Sequence, residues 1–342
     1  MKPYDTAIVI GGGAFGTSVA FVLAYNFRQV VVKVRSRDVY DAMLEGENSV
    51  YLPGIPLSPQ IVPALTWEEA TKEGKVELIV MALPTMALFS YCRENTKELN
   101  VFLKKGIPFV SLSKGIDPET LELPDELFFR YFKSFQDQFC FLSGPSFAKE
   151  ILDKQITLVT LAGRSRPVLD KTALMLSTDF FKVFKSYDVK GVLLGGALKN
   201  VIAIAVGIAE GRGLNHNTRA ALITRAIREM LRFGFIYNAR PETFYGLSGM
   251  GDLILTATGE LSRNKQFGFE LAKGRCPKEI IASQRSVVEG YKTAKSIYLL
   301  SKKYAVQCLL FQLVYKILYE ELPLEKAIKI LIDTPPRFEI EI

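Results

Sequence analysis

Residues 8–16 read Ile8-Val9-Ile10-Gly11-Gly12-Gly13-Ala14-Phe15-Gly16. Three apolar residues run directly into a G-x-G-x-x-G pattern at Gly11, Gly13 and Gly16. In a strand-to-helix turn each of these glycines answers a physical need. Gly11 permits the tight turn, Gly13 lets the backbone approach a pyrophosphate, and Gly16 lets the helix pack closely on the strand. The segment that follows, Ala14–Tyr25, is a helix candidate, apolar on most faces. A helix starting here aims unpaired N–H groups and a partial positive charge at phosphate oxygens. Ala7–Ile10 is therefore expected to be the first strand of a dinucleotide-binding βαβ unit.

Working outward, further strands are expected at Val30–Val34, Glu77–Leu83 (ended by Pro84), Phe109–Ser113, Phe139–Ser143, Thr157–Ala162 and Phe180–Phe184. Short apolar runs alternating with helical stretches predict parallel βαβ units covered on both faces. Pro53-Gly54-Ile55-Pro56, with Pro59 and Pro63 after it, reads as an irregular loop between the second and third strands, one use of which is a lid. Past Gly191 the strand signals nearly stop. Val192–Glu210, Thr218–Phe233, Val287–Tyr304, Gln307–Glu320 and Leu324–Ile332 have helical length and spacing. The expected fold is α/β: a Rossmann-type doubly wound sheet over residues 1–188, then an all-α domain over 189–342 that completes the substrate site.

Composition narrows the function. The chain has 342 residues with 43 Lys+Arg against 36 Asp+Glu, a formal charge of +7. The basic residues are interspersed with acids, which favours a small anionic ligand over nucleic acid. Cys92, Cys140, Cys276 and Cys308 form no C-x-x-C pair, and the chain has one histidine. A zinc site and a disulfide framework are both disfavoured, no metal is expected, and a reducing, cytoplasmic setting fits. No signal peptide is read at the N-terminus, and Ile340-Glu341-Ile342 matches no targeting tail. The longest apolar run, Val201–Ala209, has about half the length needed to cross a bilayer.

The expected end of the second strand reads Val34-Arg35-Ser36-Arg37-Asp38. An acid there holds the ribose 2′-OH of NAD, whereas arginines suit the 2′-phosphate of NADP. Arg35 and Arg37 point to NADP(H). Asp38 keeps NAD(H), or dual use, open. Pro84, at another strand end on the same crevice, is counted with the cofactor residues.

Three more clusters stand out: Leu112-Ser113-Lys114-Gly115-Ile116, Leu142-Ser143-Gly144-Pro145-Ser146-Phe147-Ala148 and Ala197-Leu198-Lys199-Asn200. The first two follow strands, so they face the crevice beyond the carboxyl ends of a doubly wound sheet. Lys199 lies in an otherwise apolar helix, where a buried ammonium is costly unless its charge is used. Burial and cationic neighbours lower a lysine pKa towards neutrality, which suits acid–base work. The single histidine, His216, reads as a solvated loop residue. That disfavours dehydrogenases built on a His–Asp pair.

With Gly249-Met250-Gly251-Asp252-Leu253, Ser262-Arg263-Asn264 and Val288-Glu289-Gly290, these motifs occur in the order seen in NAD(P)-dependent glycerol-3-phosphate dehydrogenases. The chain resembles that family over about residues 7 to 330. The resemblance implies interconversion of sn-glycerol 3-phosphate and dihydroxyacetone phosphate. It implies Lys199 as proton donor and acceptor, with Lys114 and Asp252 beside it. Arg263, Asn264 and Ser262 resemble the phosphate clamp, and Gly144, Ser146 and Asn200 line the substrate. Ala14, Phe15, Ala148, Val287 and Glu289, with Lys114 and Arg263, resemble contacts to the cofactor. Members often carry a tryptophan where Lys33 and Val34 stand, which leaves cofactor preference open. The resemblance also implies a homodimer, for which the aromatic C-terminal helices are one candidate interface.

Two alternatives remain at this point. One is another Rossmann reductase with a helical C-terminal domain, of the β-hydroxyacid or dehydropantoate type, which would not require the Ser262-Arg263-Asn264 clamp. The other is a non-catalytic NAD(P)H sensor, in which Lys199, Asp252 and Arg263 have no chemical role.

Overall fold

The computed structural model describes residues 2–72, 74–283 and 287–333. The Ile340-Glu341-Ile342 tail lies outside the described residues. Eight strands form one sheet: β1 (Tyr4–Ile10), β2 (Phe27–Lys33), β3 (Ile61–Ala64), β4 (Val76–Met81), β5 (Phe109–Ser111), β6 (Phe139–Ser143), β7 (Thr157–Gly163) and β8 (Phe181–Ser186). Their spatial order is β3-β2-β1-β4-β5-β6-β7-β8. Ile8 pairs with Val31 on one side and with Ile79 on the other. The strand order therefore reverses at β1, and the crevice beyond the ends of β1 and β4 is the usual ligand position. Ala7–Ile10 are buried on both faces of the sheet, which is why they read as a run and not as an alternation.

Helices α1 (Ala14–Leu23), α2 (Arg37–Leu44), α3 (Trp67–Ala70), α4 (Thr85–Glu94), α5 (Thr96–Lys104), α6 (Pro124–Tyr131), α7 (Ala148–Leu152) and α8 (Arg166–Leu176) accompany the strands. The helical part holds α9 (Val189–Gly211), α10 (His216–Ile236), α11 (Pro241–Tyr245), α12 (Asp252–Thr258) and α13 (Arg263–Ala272). It continues with α14 (Pro277–Ala282), α15 (Glu289–Lys303), α16 (Leu309–Tyr319) and α17 (Leu324–Ile332). His216 opens α10 instead of lying in the loop before it.

The sheet is not parallel throughout, contrary to the sequence expectation. β1 to β6 run parallel, β7 is antiparallel to β6, and β8 is parallel to β7. The link from β6 to β7, residues 144–156, holds one short helix, the five-residue α7. At ~1.5 Å per residue such a helix covers roughly 7 Å. A crossover to a parallel partner usually carries a helix long enough to cover the sheet, and α7 has only five residues. A second difference is β3, which forms where the proline pattern reads as loop. Pro63 is tolerated because β3 lies at the sheet edge and pairs on one side only, with β2.

Helix α9 organises the second half. Of its 23 residues only Lys190, Glu210 and Gly211 are not buried. It has the length and apolarity of a bilayer-crossing segment, yet it is enclosed by the rest of the protein and serves as a core helix. α13 crosses it closely at Gly207 and Gly268. A Cβ on Gly207 would lie 2.0 Å from the Lys265 carbonyl oxygen. This crossing brings the first residues of α13 alongside Asn200.

Candidate active site

The glycine loop lies at the crevice end of β1. Gly11 has φ +114°, and a Cβ there would meet the Ala82 carbonyl at 2.5 Å. Gly16 packs against the Gly11 carbonyl in the same way. Around Gly13 the opposite holds: an added Cβ would meet nothing within 4 Å. Gly13 is the N-cap of α1 and offers no side-chain cap. The first N–H groups of α1, from Ala14 and Phe15, thus face an open space suited to a diphosphate. The residues present fit a dinucleotide cofactor on that ground. Pro84 is the N-cap of α4, across the same crevice. Arg35 and Arg37 are exposed at the end of β2. Arg37 Nε donates to Asp41 at 2.9 Å, and its guanidinium lies 5.0 Å from the Tyr40 ring centre.

The chemical centre is a carboxylate between two ammonium groups. Lys199 Nζ donates to Asp252 Oδ1, and Lys114 Nζ donates to Asp252 Oδ2 at 2.9 Å. Lys199 is 7% exposed and Asp252 is 1% exposed. Lys199 also donates to Thr256 Oγ1 at 2.9 Å, and Ser143 Oγ stands 3.5 Å from Asp252 Oδ2. Burial pushes the Lys199 ammonium down to about 8, against the upward pull of Asp252. Burial alone would raise the Asp252 carboxyl, but Lys114 and Lys199 outweigh it and hold it below the usual carboxylate range. The fully ionised trio carries one net positive charge, which suits an anionic substrate. Asp252 opens α12, where the helix dipole favours a carboxylate.

Lys114 joins this centre to the cofactor loop. Its Nζ also donates to the Gly144 carbonyl at 3.1 Å and lies 5.5 Å from the Phe15 ring centre. Ser146 Oγ donates to the same Gly144 carbonyl at 2.8 Å. Ala148 begins α7 just beyond.

A chain of amides holds the other wall. Asn200 Nδ2 reaches the Lys114 and Gly196 carbonyls, each at 3.3 Å. Asn264 Nδ2 donates to Asn200 Oδ1 at 3.0 Å, and Asn264 Oδ1 accepts from Gly290 N at 3.0 Å. Arg263 is the first residue of α13 and is exposed. The Ser262 hydroxyl accepts from Lys265 N at 3.3 Å and so is spent as the cap of α13. Glu289 begins α15, and its Oε1 accepts from Thr85 N at 3.2 Å. Burial pushes the Glu289 carboxyl up to about 7, and Arg263 pulls it back. Val287, just before it, is exposed.

The structure thus brings Lys114, Gly144, Ser146, Lys199, Asn200, Asp252 and Asn264 together, linked by hydrogen bonds. Arg35, Arg37 and Val287 stand apart from that network. Thr256 belongs to the centre but was not among the expected site residues, and Ser143 stood in an expected cluster without a role of its own. Thr256 had a signal, one helical turn after Asp252.

Family models for the N-terminal and C-terminal parts of NAD-dependent glycerol-3-phosphate dehydrogenase match residues 6–168 and 188–329. The chain is 42% identical to glycerol-3-phosphate dehydrogenase [NAD(P)+] from Myxococcus xanthus, over 97% of this chain and 98% of that one. It is 40% identical to the protein of the same name from Citrifermentans bemidjiense, over 94% of each. A crystal structure of glycerol-3-phosphate dehydrogenase from Coxiella burnetii matches with TM-score 0.84 and 30% identity, over 96% of this chain and 98% of that one. Fold and sequence similarity agree, and the chain belongs to the NAD-dependent glycerol-3-phosphate dehydrogenase family.

Proposed function

We infer that the chain interconverts sn-glycerol 3-phosphate and dihydroxyacetone phosphate with NAD(P). The observation behind this reading is the buried Asp252 carboxylate held between Lys199 and Lys114. The family assignment sets aside the other reductase types and the non-catalytic sensor. When bound, the nicotinamide supplies or accepts the hydride. Lys199 gives a proton to the developing alkoxide in reduction and takes it from the hydroxyl in oxidation. Lys114 stabilises the oxyanion by charge, and Asp252 orients both ammonium groups. Arg263 holds the substrate phosphate with its planar fork, helped by the amide N–H of Asn264 that Asn200 leaves free. Ser262 contributes by starting the helix that presents them. Anchoring a remote phosphate in this way is worth up to roughly 7–11 kcal/mol of barrier.

Asn200, Gly144 and Ser146 line the substrate. Gly11, Gly13, Ala14, Phe15 and Gly16 take the pyrophosphate, and Arg35 and Arg37 take a 2′-phosphate when the cofactor is NADP(H). Pro84, Ala148, Val287 and Glu289 supply the remaining cofactor contacts. The proposed division is a cofactor domain over residues 1–188 and a helical domain over 189–342. It is supported by the end of β8 at Ser186 and the start of α9 at Val189. A cytoplasmic homodimer completes the reading, with the aromatic C-terminal helices as its interface.

Mixing the protein with dihydroxyacetone phosphate and either NADH or NADPH tests it, followed at the reduced-nicotinamide absorbance band. Oxidation in either cuvette is the expected result. The ratio of kcat/KM values then reports what Arg35 and Arg37 do. Cofactor binding without oxidation in both cuvettes overturns the reading.

A further inference from the structure

Asn48, a few residues past α2, is fully buried. Its Nδ2 donates to the Gly12 carbonyl and to Thr17 Oγ1, both at 2.8 Å. Its Oδ1 has no partner among the described residues. The amide is therefore oriented by its donors alone. Flipped, it would set Oδ1 against the Gly12 carbonyl, acceptor against acceptor.

Asn48 also stands on a firm support. Its own carbonyl accepts from Tyr51 N at 3.1 Å and from Leu52 N at 2.8 Å. Glu47 pairs with Pro56 and takes Gly54 N at 2.8 Å. Leu57 N reaches the Gly46 carbonyl at 2.7 Å. The segment 46–57 is closed on itself, and its buried anchor grips the glycine loop.

That grip has a directional consequence. Gly11, Gly12 and Gly13 carry no side chains to hold their peptide planes, so the planes are intrinsically free to turn. In a trans peptide the C=O and the following N–H point opposite ways. Drawing the Gly12 carbonyl onto Asn48 therefore turns the Gly13 N–H away from Asn48, at a residue whose Cα borders open space, with nothing within 4 Å of an added Cβ.

We propose that Asn48 is a positioning residue for the nicotinamide cofactor, fixing the Gly12–Gly13 peptide so that the Gly13 N–H faces the diphosphate. It acts on cofactor binding and not on the ketone. The proposal rests on the diphosphate lying along the glycine loop, which oxidation of reduced cofactor by the wild type tests separately.

The test compares wild type, Asn48→Ala, Asn48→Asp and Thr17→Val as full chains. It measures KM and Kd for the preferred reduced cofactor, KM for dihydroxyacetone phosphate, kcat and Tm. Asn48→Ala should raise cofactor KM and Kd by about tenfold or more. KM for dihydroxyacetone phosphate, and kcat at saturating cofactor, should stay within about twofold. Asn48→Asp keeps the shape but puts an acceptor against the Gly12 carbonyl, and it shows the same split should the alanine variant fail to fold. Thr17→Val leaves the Gly12 bond intact and should change cofactor KM by no more than about twofold. A lowered Tm with unchanged cofactor Kd would make Asn48 a structural brace only and overturn the proposal. Equal rises in both KM values, or an equal effect of Thr17→Val, would also overturn it.

Discussion

Lys199 and Asp252, 53 residues apart in the chain, form a buried ion pair at the middle of α9 and the start of α12. Lys114 approaches the same carboxylate from the sheet side. Breaking a buried pair by removing one partner leaves an uncompensated charge. Here Lys114 remains on Asp252 when Lys199 is removed, so the fold tolerates its loss better than the chemistry does.

Lys199→Ala is therefore expected to lower kcat by about 10²–10⁴-fold, the usual contribution of a positioned acid or base. The Kd for reduced cofactor should hardly move, since Lys199 bonds to Asp252 and Thr256 and not to the glycine loop. Stopped-flow turnover and a fluorescence titration check both halves. A variant turning over near the wild-type rate would reassign the proton donor.

The pH profile follows from the Lys199 value of about 8. Ketone reduction needs the ammonium form, so its kcat/KM should fall as pH rises through about 8. Alcohol oxidation needs the neutral amine and should rise over the same window. Asp252 raises the Lys199 pKa, so Asp252→Asn should move both midpoints to lower pH. Rates measured in each direction across the range decide this, and an unshifted midpoint in the variant would count against the pairing.

Arg263→Ala should raise KM for dihydroxyacetone phosphate by roughly 10–100-fold, the worth of hydrogen bonds to a charged group. Arg263→Lys should recover only part of it, because an ammonium lacks the planar fork. Initial-rate kinetics at saturating cofactor provide the check. Unchanged KM would place the phosphate elsewhere.

Stability should depend on Glu229, which makes no hydrogen bond to the lysine–carboxylate centre. It is buried on α10 and accepts from Leu310 N at 2.9 Å and Phe311 N at 3.2 Å, capping the start of α16. Glu229→Ala strands two buried donors and should cost about 2–4 kcal/mol. Thermal or urea unfolding would show it, with kcat per folded molecule unchanged.

Some of this is legible in the sequence alone. The glycine loop is, because its meaning is contained in consecutive residues whose roles are local. Lys199 is, because one lysine inside an apolar helix poses a desolvation problem visible in the sequence. Arg263 and Asp252 enter only through family resemblance, and Asn48 not at all. Asn48 meets Gly12 across 36 residues, and Lys114 meets Asp252 across 138. No periodicity encodes such pairs.

Hydrophobic runs and glycine spacing were enough to place seven of the eight strands, the glycine loop and the shift from strands to helices near Val189. These are local consequences of backbone sterics and of period-dependent burial. Packing decided the rest. The reversal of β7 against β6 is a matter of packing that no local run encodes. The lysine–carboxylate centre followed from α9 being enclosed on all sides. A charge becomes perturbed only once apolar walls surround it, and here those walls come from segments far apart in the chain.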